Sequence, residues 1–199
     1  MVHKIGRDVI HRYEGNPLIG IEDLPFQCSD IRNAGVVYFE GEYLLLLTVE
    51  SLEGLGNIYL AHGKDGRHFS IKSKPFLGAC TCKVCSCYST YGVLDSRITR
   101  IDQTYYIIYT AASEHGQRVM LAQTKNFRTI EDKHFVSETD NKSATLFPQK
   151  IQGRYAMLER PSDGGSIWIS YSENLTYWGS STVVMTPRGG HWDSTRIGA

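Results

Sequence analysis

Asp95 stands in the segment "YGVLDSRIT", residues 91–99, directly before an apolar run and two residues ahead of Arg97. A carboxylic acid can act as a general acid when its surroundings keep it protonated. An aspartate at the entry to a strand is also a common turn residue, because its side chain bonds nearby backbone groups. Taken without other information, the segment favours the turn and leaves catalysis as the alternative.

Thiol chemistry is concentrated in "CTCKVCSC", and Cys28 stands apart. Neighbours this close cannot all pair in disulfides without strain, which leaves reactive thiolates, metal binding or plain reduced thiols. Structural zinc sites more often separate two cysteine pairs by a longer loop. We therefore expect no metal site, and the alternative is a metal ion bound by Cys80, Cys82, Cys85 and Cys87.

The overall composition points to neutral partners. The 199 residues carry 21 basic and 21 acidic side chains, so the formal net charge is zero. No long run of one sign indicates a nucleic-acid or membrane partner. The N-terminal residues lack the apolar segment of a signal peptide, and no later run has membrane-spanning length. We expect a soluble, cytoplasmic protein.

Three similar segments must position these side chains. They are "FEGEYLLLLTVE", "IDQTYYIIYTAA" and "IQGRYAMLERPS", which place a polar turn before Tyr43, Tyr105 and Tyr155 and then become apolar. Each predicts a turn that enters a strand. A second apolar segment and a further polar turn follow each time, so each repeat contains several antiparallel strands.

The repeat length indicates a β-propeller. Repeats of about 40–50 residues built from short strands are typical of propeller blades, whereas a β-sandwich needs no such period. The interval between the first two tyrosines is longer because it contains residues 79–90, which we interpret as a cysteine-rich surface insertion between blades. Ten residues before the tyrosines lie Asn33, Asp95 and Thr145, which we expect at the starts of the innermost strands, near one axis.

The last residues, "HWDSTRIGA", begin what we interpret as another repeat. The prediction is one all-β domain over residues 1–199, an incomplete propeller of about three blades and the start of a fourth. Such a unit cannot close a ring by itself. Closure would need further residues or association into a homo-oligomer.

Several segments together resemble glycoside hydrolase family 130, the β-mannoside phosphorylases and related mannosidases. They run in the family's order through nearly the whole chain: "NPLIGIEDLPF", "RNAGVVYFEGEYLLLLTVE", "YGVLDSRITRIDQTYYIIYTA", "LFPQKIQGRYAMLERP", "IWISYSENLTYW" and "WDSTRIGA". The resemblance implies a five-bladed β-propeller longer than this chain, which would be its N-terminal part.

The resemblance also implies a reaction. Phosphorylases of this family cleave a β-mannosidic bond with one enzyme acid and inorganic phosphate as the nucleophile, giving mannose 1-phosphate with inverted configuration. The resemblance assigns the role of the acid to Asp95, whose proton would go to the leaving glycosidic oxygen. A β-mannoside oligosaccharide or glycan is the implied substrate, and no cofactor is implied besides phosphate as co-substrate.

The remaining implied site residues are cationic or polar. The resemblance assigns phosphate binding to Lys142, Arg160 and Arg196, and substrate binding to Asn33, Asp193 and Arg97. Converging cations would neutralise and hold a phosphate. As an alternative, the cations are solvated surface charges, Asn33 and Asp193 are turn caps, and Arg97 orients neighbouring carboxylates.

Three departures from the family pattern leave the activity open. Thr48 replaces an arginine, Leu94-Asp95-Ser96-Arg97 replaces an "EDPR" motif, and Glu159 introduces an acid beside Arg160. Loss of an arginine and gain of an acid would weaken phosphate binding. The alternatives are an altered phosphorylase, a β-mannoside hydrolase, and a non-catalytic sugar-binding or assembly module.

Overall fold

The computed structural model describes residues 12–82 and 85–198, and these residues form an all-β structure. The first sheet contains β1 (Asp30–Phe39), β2 (Glu42–Glu50), β3 (Gly56–Gly63) and β4 (Ser70–Leu77). The second contains β5 (Val93–Ile101), β6 (Thr104–Ser113), β7 (Gly116–Thr124) and β8 (Asp132–Phe135). The third contains β9 (Asn141–Leu146), β10 (Tyr155–Pro161), β11 (Ile167–Ser172) and β12 (Gly179–Met185). The only other elements described are short 3-10 turns at Ile21–Asp23 and Ser86–Tyr88.

Every sheet is an antiparallel meander in which strands that follow each other in sequence are paired. The turn between β1 and β2 shows why the chain reverses there. Glu40 and Gly41 both have positive φ, 49° and 86°. This is the backbone of a two-residue hairpin turn, whose twist matches that of the flanking strands. The predicted turn-and-strand repeats are therefore confirmed.

Two apolar layers hold the sheets together. Between the first and second sheets, the rings of Phe39, Tyr105 and Phe127 pack with centroids 4.9–5.5 Å apart. Between the second and third sheets, Ile108 and Met157 belong to a second buried cluster. Edge-to-face and tilted ring contacts of this kind add to the free energy gained by apolar burial.

The first strands of the three sheets lie side by side. The Ser96 hydroxyl of β5 donates to the Leu46 carbonyl of the first sheet at 2.9 Å. The Thr99 hydroxyl, also on β5, donates to the Leu146 carbonyl of β9 at 3.2 Å. β1 approaches β5 closely at Gly35, where an added Cβ would lie 2.9 Å from the Ser96 carbonyl oxygen. Polar residues of β1, β5 and β9 are thereby brought together.

The cysteine-rich residues connect β4 to β5. Cys82 and Cys87 are exposed, whereas Cys80 and Ser89 are buried, and the interpretation of residues 79–90 as an insertion between blades stays a prediction. Burial, together with the nearby Cys80 and Cys85, raises the pKa of Tyr109 in β6. The Tyr88 ring packs against Phe135 of β8 with centroids 5.6 Å apart, so the segment lies against the second sheet.

The last described residues fold back onto the third sheet. Residues 186–198 form turns and no strand. The Ile197 N–H donates to the Gly165 carbonyl at 3.0 Å, and Gly165 has a φ of +59°. A Cβ at Gly165 would lie 2.5 Å from the Thr195 carbonyl oxygen, so glycine permits this close approach. The start of a fourth blade stays a prediction.

Within residues 12–82 and 85–198, no helix is long and apolar enough to cross a membrane.

Candidate active site

A bulge interrupts the pairing near the start of the innermost strand in every sheet. Asn33-Ala34 lie opposite one residue of β2, and Asp95-Ser96 lie opposite one residue of β6. Lys142-Ser143 lie opposite Arg160 of β10. Bulges re-aim side chains and are common beside active sites. The three sheets therefore present polar side chains at equivalent positions.

The backbone at these bulges adopts an unusual conformation. Asn33 and Asp95 have φ values of 47° and 59°, and Ser143 has a φ of 72°. Asparagine and aspartate tolerate this left-handed region better than other residues with a Cβ. The ten-residue count thus holds for Asn33 and Asp95. The equivalent position in the third sheet is Lys142-Ser143 and not Thr145, which pairs with Leu158 further along the strand.

The Asp95 carboxylate is buried and held on both sides. The Asn33 side-chain N–H donates to Asp95 Oδ1 at 2.5 Å. Lys142 Nζ lies 3.7 Å from Asp95 Oδ2. The Asp95 backbone N–H donates to Thr48 Oγ1 at 2.9 Å, and Thr48 is fully buried. Asp95, in the second sheet, is thus held by residues of β1 and β2 in the first sheet and of β9 in the third.

A cationic cavity opens beside Asp95. It measures about 500 Å³ and is lined by Lys142, Arg160 and Arg196, with Tyr91 and Ser162 also in its wall. The three residues assigned to phosphate by the family resemblance therefore surround one space. Residues from the second sheet, the third sheet and the C-terminal segment contribute to it.

Arg160 is the most unusual member of this group. It is only 7% exposed, and its Nε has no hydrogen-bond partner among the described residues. Burial and the neighbouring Arg196 charge lower the pKa of Arg160, while Asp95 acts in the opposite direction. A buried cation without a bonded acceptor and next to a second cation is unfavourable unless an anion joins it. Three cations and one carboxylate, that of Asp140, line the cavity, so its net positive charge suits an anion.

Glu159 does not oppose this charge. Its carboxylate accepts hydrogen bonds from Asn141, at 2.7 Å, and from the Ser170 hydroxyl. Neighbouring residues on a strand point to opposite faces, and Glu159 lines a different cavity from Arg160. The Glu159 carboxylate therefore does not line the cavity that contains Arg160, which gives no support to the expectation that its charge weakens phosphate binding.

Two further predicted residues have other partners. The buried Asp193 accepts a hydrogen bond from Arg188 Nε at 2.8 Å, and its Oδ1 has no partner among the described residues. Arg97 Nη1 donates to the Ser96 carbonyl at 3.1 Å. Neither contact involves Asp95, so the roles of Asp193 and Arg97 in substrate binding stay predictions.

Sequence reasoning missed the support from Thr48 and the cavity wall at Tyr91. Thr48 had stood out only as a replaced arginine, yet its hydroxyl satisfies the buried Asp95 N–H. A polar residue within the run "LLLLTVE" was the available signal. A separate groove of about 600 Å³, lined in part by Phe39, His62 and Phe127, contains none of the predicted site residues.

A family match and individual relatives point to the same protein family. The family described as β-1,4-mannooligosaccharide phosphorylase, glycoside hydrolase family 130, matches residues 27–199. A β-1,2-mannobiose phosphorylase from Listeria innocua is 31% identical, across 95% of this chain and 69% of that protein. A β-1,4-mannooligosaccharide phosphorylase from Ruminococcus albus is 30% identical, across 97% of this chain and 60% of that protein.

A solved structure agrees in fold. The β-1,2-mannobiose phosphorylase from Listeria innocua, in complex with β-1,2-mannobiose, superposes with a TM-score of 0.82 at 30% sequence identity. The superposition covers 94% of this chain and 69% of that one. The chain thus spans 60 to 69% of the length of these relatives.

Proposed function

The chain belongs to glycoside hydrolase family 130, and from that premise we propose that it cleaves β-mannosides by inverting phosphorolysis. The substrate would be a β-mannoside oligosaccharide or glycan, and inorganic phosphate would be the second substrate. The named relatives act on β-1,2-mannobiose and β-1,4-mannooligosaccharides. Both linkages are therefore substrates to be tested.

In this proposal the three sheets are consecutive blades of a five-bladed propeller. Their meander topology and the neighbouring strands β1, β5 and β9 support this arrangement. The innermost strands would surround the axis, where the bulges present Asn33, Asp95 and Lys142. Further sheets, besides the three described, would complete the ring.

Asp95 is the proposed general acid. Its carboxylic acid gives a proton to the glycosidic oxygen as the bond from that oxygen to the mannose C1 breaks. An oxygen of hydrogen phosphate forms the new bond to C1 from the opposite face. The leaving sugar keeps the proton from Asp95, and the proton lost by hydrogen phosphate restores the acid. The product is mannose 1-phosphate with inverted configuration.

The single observation that carries the proposal is the buried, unpartnered Arg160 Nε in a cavity shared with Lys142 and Arg196. Arginine and lysine donors suit phosphate oxygens, and two or more of them would offset its charge. Lys142 also lies 3.7 Å from Asp95. This contact supports a proposed anion site next to the proposed acid, as phosphorolysis requires.

Product analysis tests this function directly. The protein is incubated with β-1,2-mannobiose or β-1,4-mannobiose, with and without phosphate, and sugar phosphates are measured by phosphorus NMR. We expect mannose 1-phosphate with at least one mannobiose, only when phosphate is present. Cellobiose, a β-glucoside, is the matched control and should give no sugar phosphate.

Two results would contradict phosphorolysis. Free mannose released at the same rate with and without phosphate would identify a hydrolase. Mannobiose binding without any cleavage would identify a sugar-binding module.

A further inference from the structure

Three thiols of the cysteine-rich segment converge on one point. The sulfur atoms of Cys80, Cys82 and Cys85 all lie within 4.8 Å of one another. The Cys80 and Cys82 sulfurs are 3.2 Å apart. Thiolates bound to one zinc ion at about 2.3 Å, in tetrahedral geometry, are about 3.8 Å from each other. The observed spacing brackets that value.

Backbone N–H groups of Cys85 and Ser86 donate hydrogen bonds to Cys82. The Cys85 N–H donates to Cys82 Sγ at 3.2 Å, and the Ser86 N–H donates to the Cys82 carbonyl at 3.0 Å. Two residues separate Cys82 from Cys85, a spacing common in zinc sites. Hydrogen bonds from N–H groups to a ligand atom orient it and offset its negative charge. The Cys85 N–H is therefore placed to support a metal-bound thiolate at Cys82.

The segment is also anchored on both sides of the sulfurs. The Cys80 N–H donates to the Ser89 hydroxyl at 2.8 Å, and Ser89 is fully buried. The Tyr88 ring packs against Phe135 with centroids 5.6 Å apart, and the Arg118 guanidinium lies 4.9 Å from the Tyr88 ring centroid. The second sheet thus holds the segment, so metal binding would need only small shifts of the sulfurs.

We propose that Cys80, Cys82 and Cys85 provide three of the four ligands of one Zn²⁺ ion, in the connection from β4 to β5 that lies against the second sheet. Soft thiolate ligands select zinc over magnesium or calcium. Binding displaces the three thiol protons to solvent and changes no oxidation state. A disulfide between Cys80 and Cys82 is the main competitor, and only one residue separates these cysteines, which strains such a bond. The site lies outside the proposed sugar and phosphate chemistry and does not depend on it.

Metal titration of the reduced protein tests the site. The full chain is stripped with a chelator under reducing, oxygen-free conditions and titrated with Zn²⁺ alone, in competition with a chromophoric chelator. We expect one tightly bound Zn²⁺ per chain and a rise in Tm on binding. Co²⁺ in place of Zn²⁺ should give strong thiolate-to-metal charge-transfer absorption.

Single substitutions identify the ligands. Cys82→Ser, at an exposed position, and Cys85→Ser should each weaken Zn²⁺ binding by at least about 100-fold, because loss of even an outer-shell partner costs about 10–100-fold. Cys28→Ser is the matched control, and it should bind Zn²⁺ as wild type does. Its thiol lies in a separate apolar cluster.

Three outcomes would overturn the proposal. These are failure of the reduced wild-type protein to bind Zn²⁺, unchanged binding in both Cys82→Ser and Cys85→Ser, and a Cys80–Cys82 disulfide in protein kept under reducing conditions. Thiol counting before and after denaturation detects the disulfide.

Discussion

The Asp95 side chain can be tested without disturbing its backbone. Asparagine also tolerates positive φ, so Asp95→Asn should keep the bulge, where φ is 59°. An amide cannot deliver a proton to the leaving oxygen. Because general acid catalysis contributes about 10²–10⁴-fold, we expect kcat for mannobiose phosphorolysis to fall by that factor. Steady-state kinetics give the rate, and circular dichroism checks the fold.

Asp102→Asn is the matched control for this change. Asp102 has a similar φ, 54°, but lies exposed between β5 and β6. The same chemical change there should leave kcat unaltered. Wild-type kcat in Asp95→Asn would reduce Asp95 to the turn residue that its sequence context alone favours.

Thr48 supports Asp95 through a single hydrogen bond. Thr48→Val has nearly the same shape and removes the acceptor of the buried Asp95 N–H. An unsatisfied buried donor costs about 1–3 kcal/mol, so the free energy of unfolding in urea should fall by that amount. Thr182→Val, on the exposed strand β12, is the control and should change it little. Equal stability of wild type and Thr48→Val would show that this bond contributes nothing.

The sequence predicted which residues belong to the candidate site, but it did not predict the orientation of their side chains. Matching segments pointed to Asp95, Lys142, Arg160 and Arg196, and three of these line one cavity. The orientation of Glu159 depends on strand pleat and on its bonds to Asn141 and Ser170, which are distant in sequence. No local pattern around Glu159 reports those partners.

At the scale of elements, the close approach of β1 to β5 sets the distance between Asn33 and Asp95. Gly35→Ala places a Cβ 2.9 Å from the Ser96 carbonyl oxygen. The added Cβ and the Ser96 carbonyl oxygen are both fixed by the backbones of packed strands, so neither can move away easily. We therefore expect a loss of about 1–3 kcal/mol in the free energy of unfolding, and a lower kcat. Urea denaturation and kinetics measure the two effects.

Gly179→Ala provides the comparison. A Cβ at Gly179, the first residue of β12, meets nothing within 4 Å. Its stability and activity should therefore equal those of wild type. If Gly35→Ala were equally harmless, the approach of β1 to β5 would not determine the geometry of Asp95.

Element order followed from sequence pattern because each strand pair is local. Polar turns before Tyr43, Tyr105 and Tyr155 marked the hairpins correctly. The position of the third bulge did not follow, since the connection from β9 to β10 contains Pro148 and a separate turn at residues 152–153. Because of these extra residues, Ser143 lies twelve positions before Tyr155, whereas the bulge residue with positive φ in each of the first two sheets lies ten positions before its tyrosine.

Among the described residues, Leu24 and Cys28 cover only part of the outer face of the first sheet, and the rest of that face is exposed. Val36 and Tyr38 of β1 are 59% and 61% exposed, whereas their neighbours Val37 and Phe39 pack towards the second sheet. In the proposed ring, another sheet would pack on this exposed part of the face. Burial of an unpaired charge there would cost about 3–5 kcal/mol.

Val36→Asp therefore should act differently in two proteins. In the 199-residue chain, position 36 is exposed, so the change should lower the free energy of unfolding only slightly. In a protein with the additional length of the relatives, the position would be buried, and the free energy of unfolding should fall by about 3 kcal/mol. The strand-propensity cost is common to both and cancels. Leu52→Asp, at a 61% exposed loop position, should be mild in both. Equal urea-denaturation effects of Val36→Asp would contradict ring closure over this face.

The cationic cavity joins the second sheet, the third sheet and the C-terminal segment, so an anion bound there should stabilise the assembled molecule. At about 100 times its Kd, phosphate would add about 2.7 kcal/mol to the free energy of unfolding, or roughly 5–10 °C in Tm for a domain of this size.

Arg160→Met should abolish most of this rise in Tm, measured by thermal denaturation at constant ionic strength. Without phosphate, the variant should be at least as stable as wild type, because it removes a buried cation that Arg196 repels. Arg154→Met, whose guanidinium stacks on Tyr171 in the same sheet, should keep the phosphate effect. The same phosphate-induced rise in Arg160→Met and wild type would remove Arg160 from the anion site, and with it the observation on which phosphorolysis rests.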